Sequence, residues 1–224
     1  MLPDSLKGGL IVSCQAQPGS PLRDPRIMVA MARAAALGGA VGIRANGPED
    51  IAAIRAAVQL PIIGILKQDL AGYDVRITPT LQAAEMVVAA GAQILALDAT
   101  RRPHPGGLSA QELIGACRRR FGPAVLLMAD VSTLAEGIAA AEAGADLAGT
   151  TLSGYTPYSR QLAGPDFELI AELAAALSVP VIAEGRIATP EDARRAREMG
   201  AHAVVVGAAI TQPEAITRRF VAAL

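Results

Sequence analysis

Apolar residues in this chain come in short runs rather than in alternation with polar ones. Leu10–Cys14, Ala40–Ile43, Pro61–Leu66, Gln93–Leu97, Ala124–Ala129, Asp146–Gly149, Val181–Ala183 and Ala203–Val206 are such runs, each stopping at a polar or glycine residue. Runs this short and this apolar predict strands buried on both faces. Helix signals lie between them. Asp24-Pro25 and Gly47-Pro48 open the first two helices, and Thr78-Pro79 is expected to open the third. Ser109 with Glu112, and Thr133 with Glu136, are capping-box pairs. Pro165, Thr189-Pro190 and Pro213 begin the remaining helices. The longer stretch Leu152–Gly164 is expected to be a loop that closes over a site.

Eight strands alternating with eight helices predict a single (βα)8 barrel, an α/β fold spanning residues 1–224. A repeat supports it: Gly39-Ala40, Gly91-Ala92, Gly144-Ala145 and Gly200-Ala201 each precede an even-numbered strand. No GxGxxG follows the first strand and there is no P-loop, which favours the closed barrel over a nucleotide-binding open sheet.

Composition narrows the partners. The chain is 52% hydrophobic but only 3% aromatic, so its core is built from Ala, Val, Leu and Ile. A formal net charge of -1 argues against nucleic acid or a membrane surface as partner. No apolar run approaches the ~18 residues of a membrane span. Cys14 and Cys117 are far apart with no metal spacing, and a cytoplasmic enzyme is expected. His202 precedes the last strand and reads as structural, while His104, in Pro103-His104-Pro105-Gly106, is expected in an exposed loop. No metal site follows from either.

The residue that ends each strand carries the chemistry: Gln15, Arg44, Lys67, Asp98, Asp130, Thr150 and Glu184. Side chains at the carboxyl ends of barrel strands converge on one mouth. Lys67 stands out because the chain has 18 arginines and only two lysines. An ammonium in a desolvated site beside another cation can give up its proton, whereas a guanidinium cannot. Lys67 therefore suggests proton transfer or Schiff-base chemistry, with Glu184 as its partner. The turns after the last two strands, Gly185-Arg186 and Gly207-Ala208, are where a barrel commonly holds a phosphate.

Assembled in order, these segments resemble the bacterial N-acylglucosamine-6-phosphate 2-epimerase family. The resemblance runs from Ile11-Val12-Ser13-Cys14-Gln15 through Ile63-Gly64-Ile65-Leu66-Lys67 and Gly149-Thr150-Thr151-Leu152-Ser153-Gly154 to Ile182-Ala183-Glu184-Gly185-Arg186 and Val206-Gly207-Ala208. It implies a homodimeric enzyme without cofactor or metal. The implied reaction interconverts N-acetylmannosamine 6-phosphate and N-acetylglucosamine 6-phosphate in sialic acid breakdown. It further implies Lys67 and Glu184 as catalytic pair, Gln15, Arg44 and Asp130 as sugar contacts, and Gly185 and Gly207 as phosphate turns. In this scheme Lys67 removes the C2 proton, which is acidified by delocalisation onto O1, and Arg44 or Gln15 stabilises the charge there. The chain departs from the family at Gln212, where Arg is usual, so that either Arg186 supplies the missing charge or the pocket takes a less anionic sugar. Competing readings are a Schiff-base aldolase using Lys67 on a keto-sugar acid phosphate, and a sugar-phosphate binding protein without catalysis.

Overall fold

The computed structural model describes residues 4–224. Its strands are β1 (Leu10–Cys14), β2 (Gly42–Asn46), β3 (Ile62–Ile65), β4 (Ile94–Asp98), β5 (Leu126–Asp130), β6 (Leu147–Gly149), β7 (Val181–Glu184) and β8 (Ala203–Val206). They pair in parallel and in sequence order, and β8 closes on β1 to complete a (βα)8 barrel. The helices on the outside are α1 (Pro25–Leu37), α2 (Pro48–Ala57), α3 (Leu81–Ala89), α4 (Ala110–Phe121), α5 (Leu134–Glu142), α6 (Phe167–Ala176) and α7 (Pro190–Glu198). A four-residue α8 (Ala208–Thr211) precedes α9 (Pro213–Val221). The sequence pattern gives no sign of α8, because one turn before a proline carries no periodicity.

Strand side chains alternate between two cores. Ile11, Ile63, Ile94, Met128, Leu147, Ile182 and Val205 fill the barrel interior. Val12, Ile43, Ile62, Leu95, Leu127 and Val181 face the helices, among Met28, Ile51, Leu113 and Leu173. Each such buried side chain contributes about 1.5–3 kcal/mol. Burial on both faces is why the strands read as continuous apolar runs.

Local signals act mostly where expected. Asp24 accepts from the Arg26 N–H at the start of α1, and the Ser109–Glu112 and Thr133–Glu136 capping boxes both form. The third helix is different. Its cap is Thr80, which accepts from the Ala83 N–H, not Thr78. Thr78 instead sits at φ 46°, and its hydroxyl bonds the Ala96 carbonyl and the Leu66 N–H. Tertiary hydrogen bonds have taken this threonine away from helix capping. The sixth helix likewise starts after Pro165, capped by Asp166 on the Leu169 N–H. His104 is fully buried rather than exposed, with Nδ1 3.1 Å from the Pro79 carbonyl. That contact joins the segment before α4 to the segment before α3.

Candidate active site

The inward-facing parity of the barrel selects the site. Continuing each interior row past the last apolar residue leads to Gln15, Asn46, Lys67, Asp98, Thr151, Glu184 and Gly207. All seven line one cavity of about 830 Å³ at the carboxyl ends of the strands. Gly185, Arg186 and Ala208 line the same cavity, so the amine, the carboxylate and both glycine turns share one space.

Arg44 lies lower than expected. Rather than ending strand two, it lies within it: β2 runs on to Asn46, and Arg44 is only 1% exposed inside the barrel. Its guanidinium grips Asp130 at 3.2 Å (Nη1–Oδ1) and 2.5 Å (Nη2–Oδ2), and Nη1 also reaches Glu184 Oε2 at 2.8 Å. Thr151 donates to Asp130 Oδ1 at 2.6 Å. Gly149 makes room for this arrangement, since a Cβ there would lie 2.4 Å from Met128 Cε and 3.0 Å from Asp130 Oδ1. Burial alone would lower the Arg44 pKa, but Asp130 and Glu184 raise it, so the cation is permanent. Arg44 and Asp130 therefore form a charged floor beneath the cavity. The Arg44 Nε stays buried without a hydrogen-bond partner.

Burial governs the protonation of the pair above this floor, and the floor's charges modulate it. Burial pushes the Glu184 carboxyl up to about 7; Arg44 opposes that rise and Asp130 adds to it. Burial lowers the Lys67 pKa, and the positive charge of Arg44 lowers it further, against the pull of Glu184. An amine that ionises less readily and an acid that ionises less readily can share one proton. With that proton on nitrogen the pair is an ion pair, and with it on oxygen both groups are neutral; the net charge is the same in either state. Lys67 is held through its backbone, with its N–H on Asn46 Oδ1 at 2.8 Å and an antiparallel bridge to Ile77. Its side chain is left to the cavity.

Three other expected site residues sit differently from the sequence reading. Thr150 has the wrong parity to reach the mouth. Its hydroxyl donates to the Glu184 carbonyl at 2.8 Å and accepts from the Glu184 N–H at 3.0 Å, which fixes the end of β7 instead. Arg186 donates to the carbonyls of Gly164 at 2.8 Å and Ser153 at 2.9 Å, so part of its hydrogen-bonding capacity is already used. Gln15 donates through Nε2 to Ser13 Oγ at 2.8 Å. Gln15 lines the cavity, and its Oε1 is buried without a hydrogen-bond partner.

The stretch 152–164 is not a free lid. Ser153 bonds Asp166, Thr156 bonds Ser132, and Tyr158 donates to Glu136 at 2.9 Å beneath the Arg101 guanidinium. Glu136 also takes the N–H groups of Arg101, Ser132 and Thr133, so one carboxylate clamps the loops after β4, β5 and β6. Asn46 and Thr151 escaped the sequence reading; counting every second residue beyond each apolar run would have found both. Among the described residues no group of three or more His, Cys, Asp or Glu side chains is placed to hold a metal ion.

Fold and site together define a (βα)8-barrel enzyme whose cavity at the carboxyl ends of the strands holds both an amine and a carboxylate. Residues 28–224 match the family described as "Putative N-acetylmannosamine-6-phosphate epimerase". The chain belongs to that family. A protein of Caldanaerobacter subterraneus subsp. tengcongensis described as "Putative N-acetylmannosamine-6-phosphate 2-epimerase" is 56% identical over 216 residues, covering 96% of this chain and 91% of the relative. One from Enterobacter sp. is 52% identical over 223 residues, covering 99% and 94%. The solved N-acetylmannosamine-6-phosphate 2-epimerase of Clostridium perfringens superposes with a TM-score of 0.94 at 47% identity, covering 99% of this chain and 95% of that one.

Proposed function

We propose that this enzyme interconverts N-acetyl-D-mannosamine 6-phosphate and N-acetyl-D-glucosamine 6-phosphate by removing and returning the proton at C2, a step of sialic acid and amino sugar catabolism. The observation that carries the reading is the Lys67–Glu184 pair in one cavity with the Gly185 and Gly207 turns. The neutral Lys67 amine takes the C2 proton of the open-chain sugar, and the electron pair of the broken C–H bond delocalises through C1 onto O1 as an enolate. Glu184, protonated at the start, returns a proton to the opposite face of C2, and the two groups exchange roles in the reverse direction. Gln15 Oε1 accepts a hydroxyl or acetamido N–H of the sugar, and the Arg44–Asp130 floor holds Glu184 in place. A proton NMR time course of N-acetylmannosamine 6-phosphate in deuterated buffer tests this. The expected result is equilibration of the two epimers with loss of the C2–H signal from the product. An absence of epimer formation would overturn the assignment.

The enzyme is further taken to be a cytoplasmic homodimer. Cys14 and Cys117 are buried and unpaired, with thiols pushed by burial up to about 12, which suits a reducing compartment. No residue of helix α9 is fully buried, and Phe220 and Val221 are 72% and 65% exposed. Such an apolar face is a natural partner surface for a second copy. Light scattering is expected to give twice the chain mass, with Phe220→Asp shifting the species toward monomer; a wild-type monomer at micromolar concentration would refute the dimer.

A further inference from the structure

The proposed substrate brings a phosphate dianion, and the cavity wall shows which cation is available to meet it. Five cationic side chains line the cavity: Arg23, Lys67, Arg76, Arg102 and Arg186. Four of them are already engaged. Arg76 Nε lies 2.5 Å from Asp69 Oδ1, and Arg102 Nη2 lies 2.7 Å from Asp98 Oδ2 while its Nε reaches Thr100 Oγ1. Arg186 is tied to the carbonyls of Gly164 and Ser153, and Lys67 is the proposed base. The Gly207-Ala208 turn brings backbone but no charge, and Gln212, which follows α8, is neutral.

Arg23 is the exception. Among the described residues, its guanidinium has no hydrogen bond, ion pair or ring contact. Asp50, at the start of α2, feels its charge without pairing with it. The loop that carries Arg23 is nevertheless well anchored. The Arg23 N–H bonds the Ser20 carbonyl, Leu22 N–H bonds Ser20 Oγ, and Ser20 Oγ reaches Glu214 Oε1 at the first turn of α9. Thr211 of α8 in turn donates to the Ser13 carbonyl at 2.7 Å, so the strand that leads into this loop is bonded to the helix that follows the Gly207 turn. An exposed guanidinium at a cavity wall without a hydrogen-bond or ion-pair partner is an available anion contact, because the fork of N–H donors matches a phosphate.

We infer that Arg23 is the residue that receives the phosphate of the substrate and sets the preference for phosphorylated over free amino sugar. This rests on the epimerase reading for the identity of the anion, but the contact can be tested without turnover. Inorganic phosphate binding is measured by calorimetry on wild type, Arg23→Gln and Arg23→Lys, alongside kcat and KM for N-acetylmannosamine 6-phosphate and for the free sugar. The expected result is that Arg23→Gln weakens phosphate binding and raises KM about 10- to 100-fold, with most of the loss in KM rather than kcat. The ratio of kcat/KM for phosphorylated over free sugar should shrink by a similar factor, and Arg23→Lys should recover part of each. Unchanged phosphate affinity and KM in Arg23→Gln, or no phosphate binding by wild type, would overturn the inference. Loss of phosphate binding in the variant, in a protein that does not epimerise the sugar, would keep the anion contact and sink the epimerase reading instead.

Discussion

Replacing Lys67 with methionine is expected to reduce epimerisation about 10³-fold or more while leaving the fold intact, since general acid–base groups contribute roughly 10²- to 10⁴-fold. Methionine keeps the length and removes only the ionisable nitrogen. The backbone contacts to Asn46 and Ile77 do not depend on the side chain, so the melting temperature should move by no more than a few degrees. The same assignment predicts a bell-shaped pH profile for the wild type. Below about pH 7, where Glu184 is protonated in the free enzyme, the pair carries two protons and neither group can take one from C2. Above the lowered pKa of Lys67, which lies below the ordinary 10.5, the pair carries none and nothing returns a proton. The active window lies between, and both limbs belong to the pair rather than to either residue. Borohydride added with substrate should leave the protein unlabelled. A covalent adduct on Lys67 would favour the aldolase chemistry, and a Lys67→Met variant with a tenth of wild-type activity would end the role assigned to this amine.

Arg44→Met is expected to destabilise the protein by about 3–5 kcal/mol, the usual consequence of removing one partner from a buried ion pair. For a chain of this size that corresponds to a melting temperature lower by about 10 °C. Two carboxylates, Asp130 and Glu184, would then face each other in the barrel interior without a cation between them. The cost should be larger at pH 8 than at pH 5, because at the lower pH Glu184 already carries its proton and only one charge is stranded. Adding Asp130→Asn should return part of the loss, so that the two changes are not additive. Thermal unfolding of the two single variants and the double variant decides the matter. A fall under about 1 kcal/mol, or simple additivity, would mean that the floor does not work as a unit.

How much of this was legible depended on what each residue competes with. The apolar runs, the capping boxes at Ser109 and Thr133, and the Gly-Ala repeat are local signals, and the barrel follows from them. Lys67 was legible because lysine is rare here, and Glu184 because it closes an apolar strand. Arg44 was misjudged in depth because a charge normally marks a strand leaving the core. Its counter-charges, Asp130 and Glu184, come from strands three and five positions along the sequence, and no local window contains them. Thr150 and Thr151 are neighbours with opposite parity. Strands buried on both faces lose the polar–apolar alternation that would have told them apart.

By itself, then, the order of residues determined the eight-fold alternation, the end of the barrel at which polar groups gather, and the identity of the amine and acid. Those properties depend on neighbours within a few positions. Closure of β8 onto β1 decided the rest: which face of each strand looks inward, that Arg44 lies beneath the cavity between two carboxylates, and that Arg23 is left without a partner at its wall. Depth and electrostatic environment are set by residues distant in the chain, and only packing brings them within reach of one another.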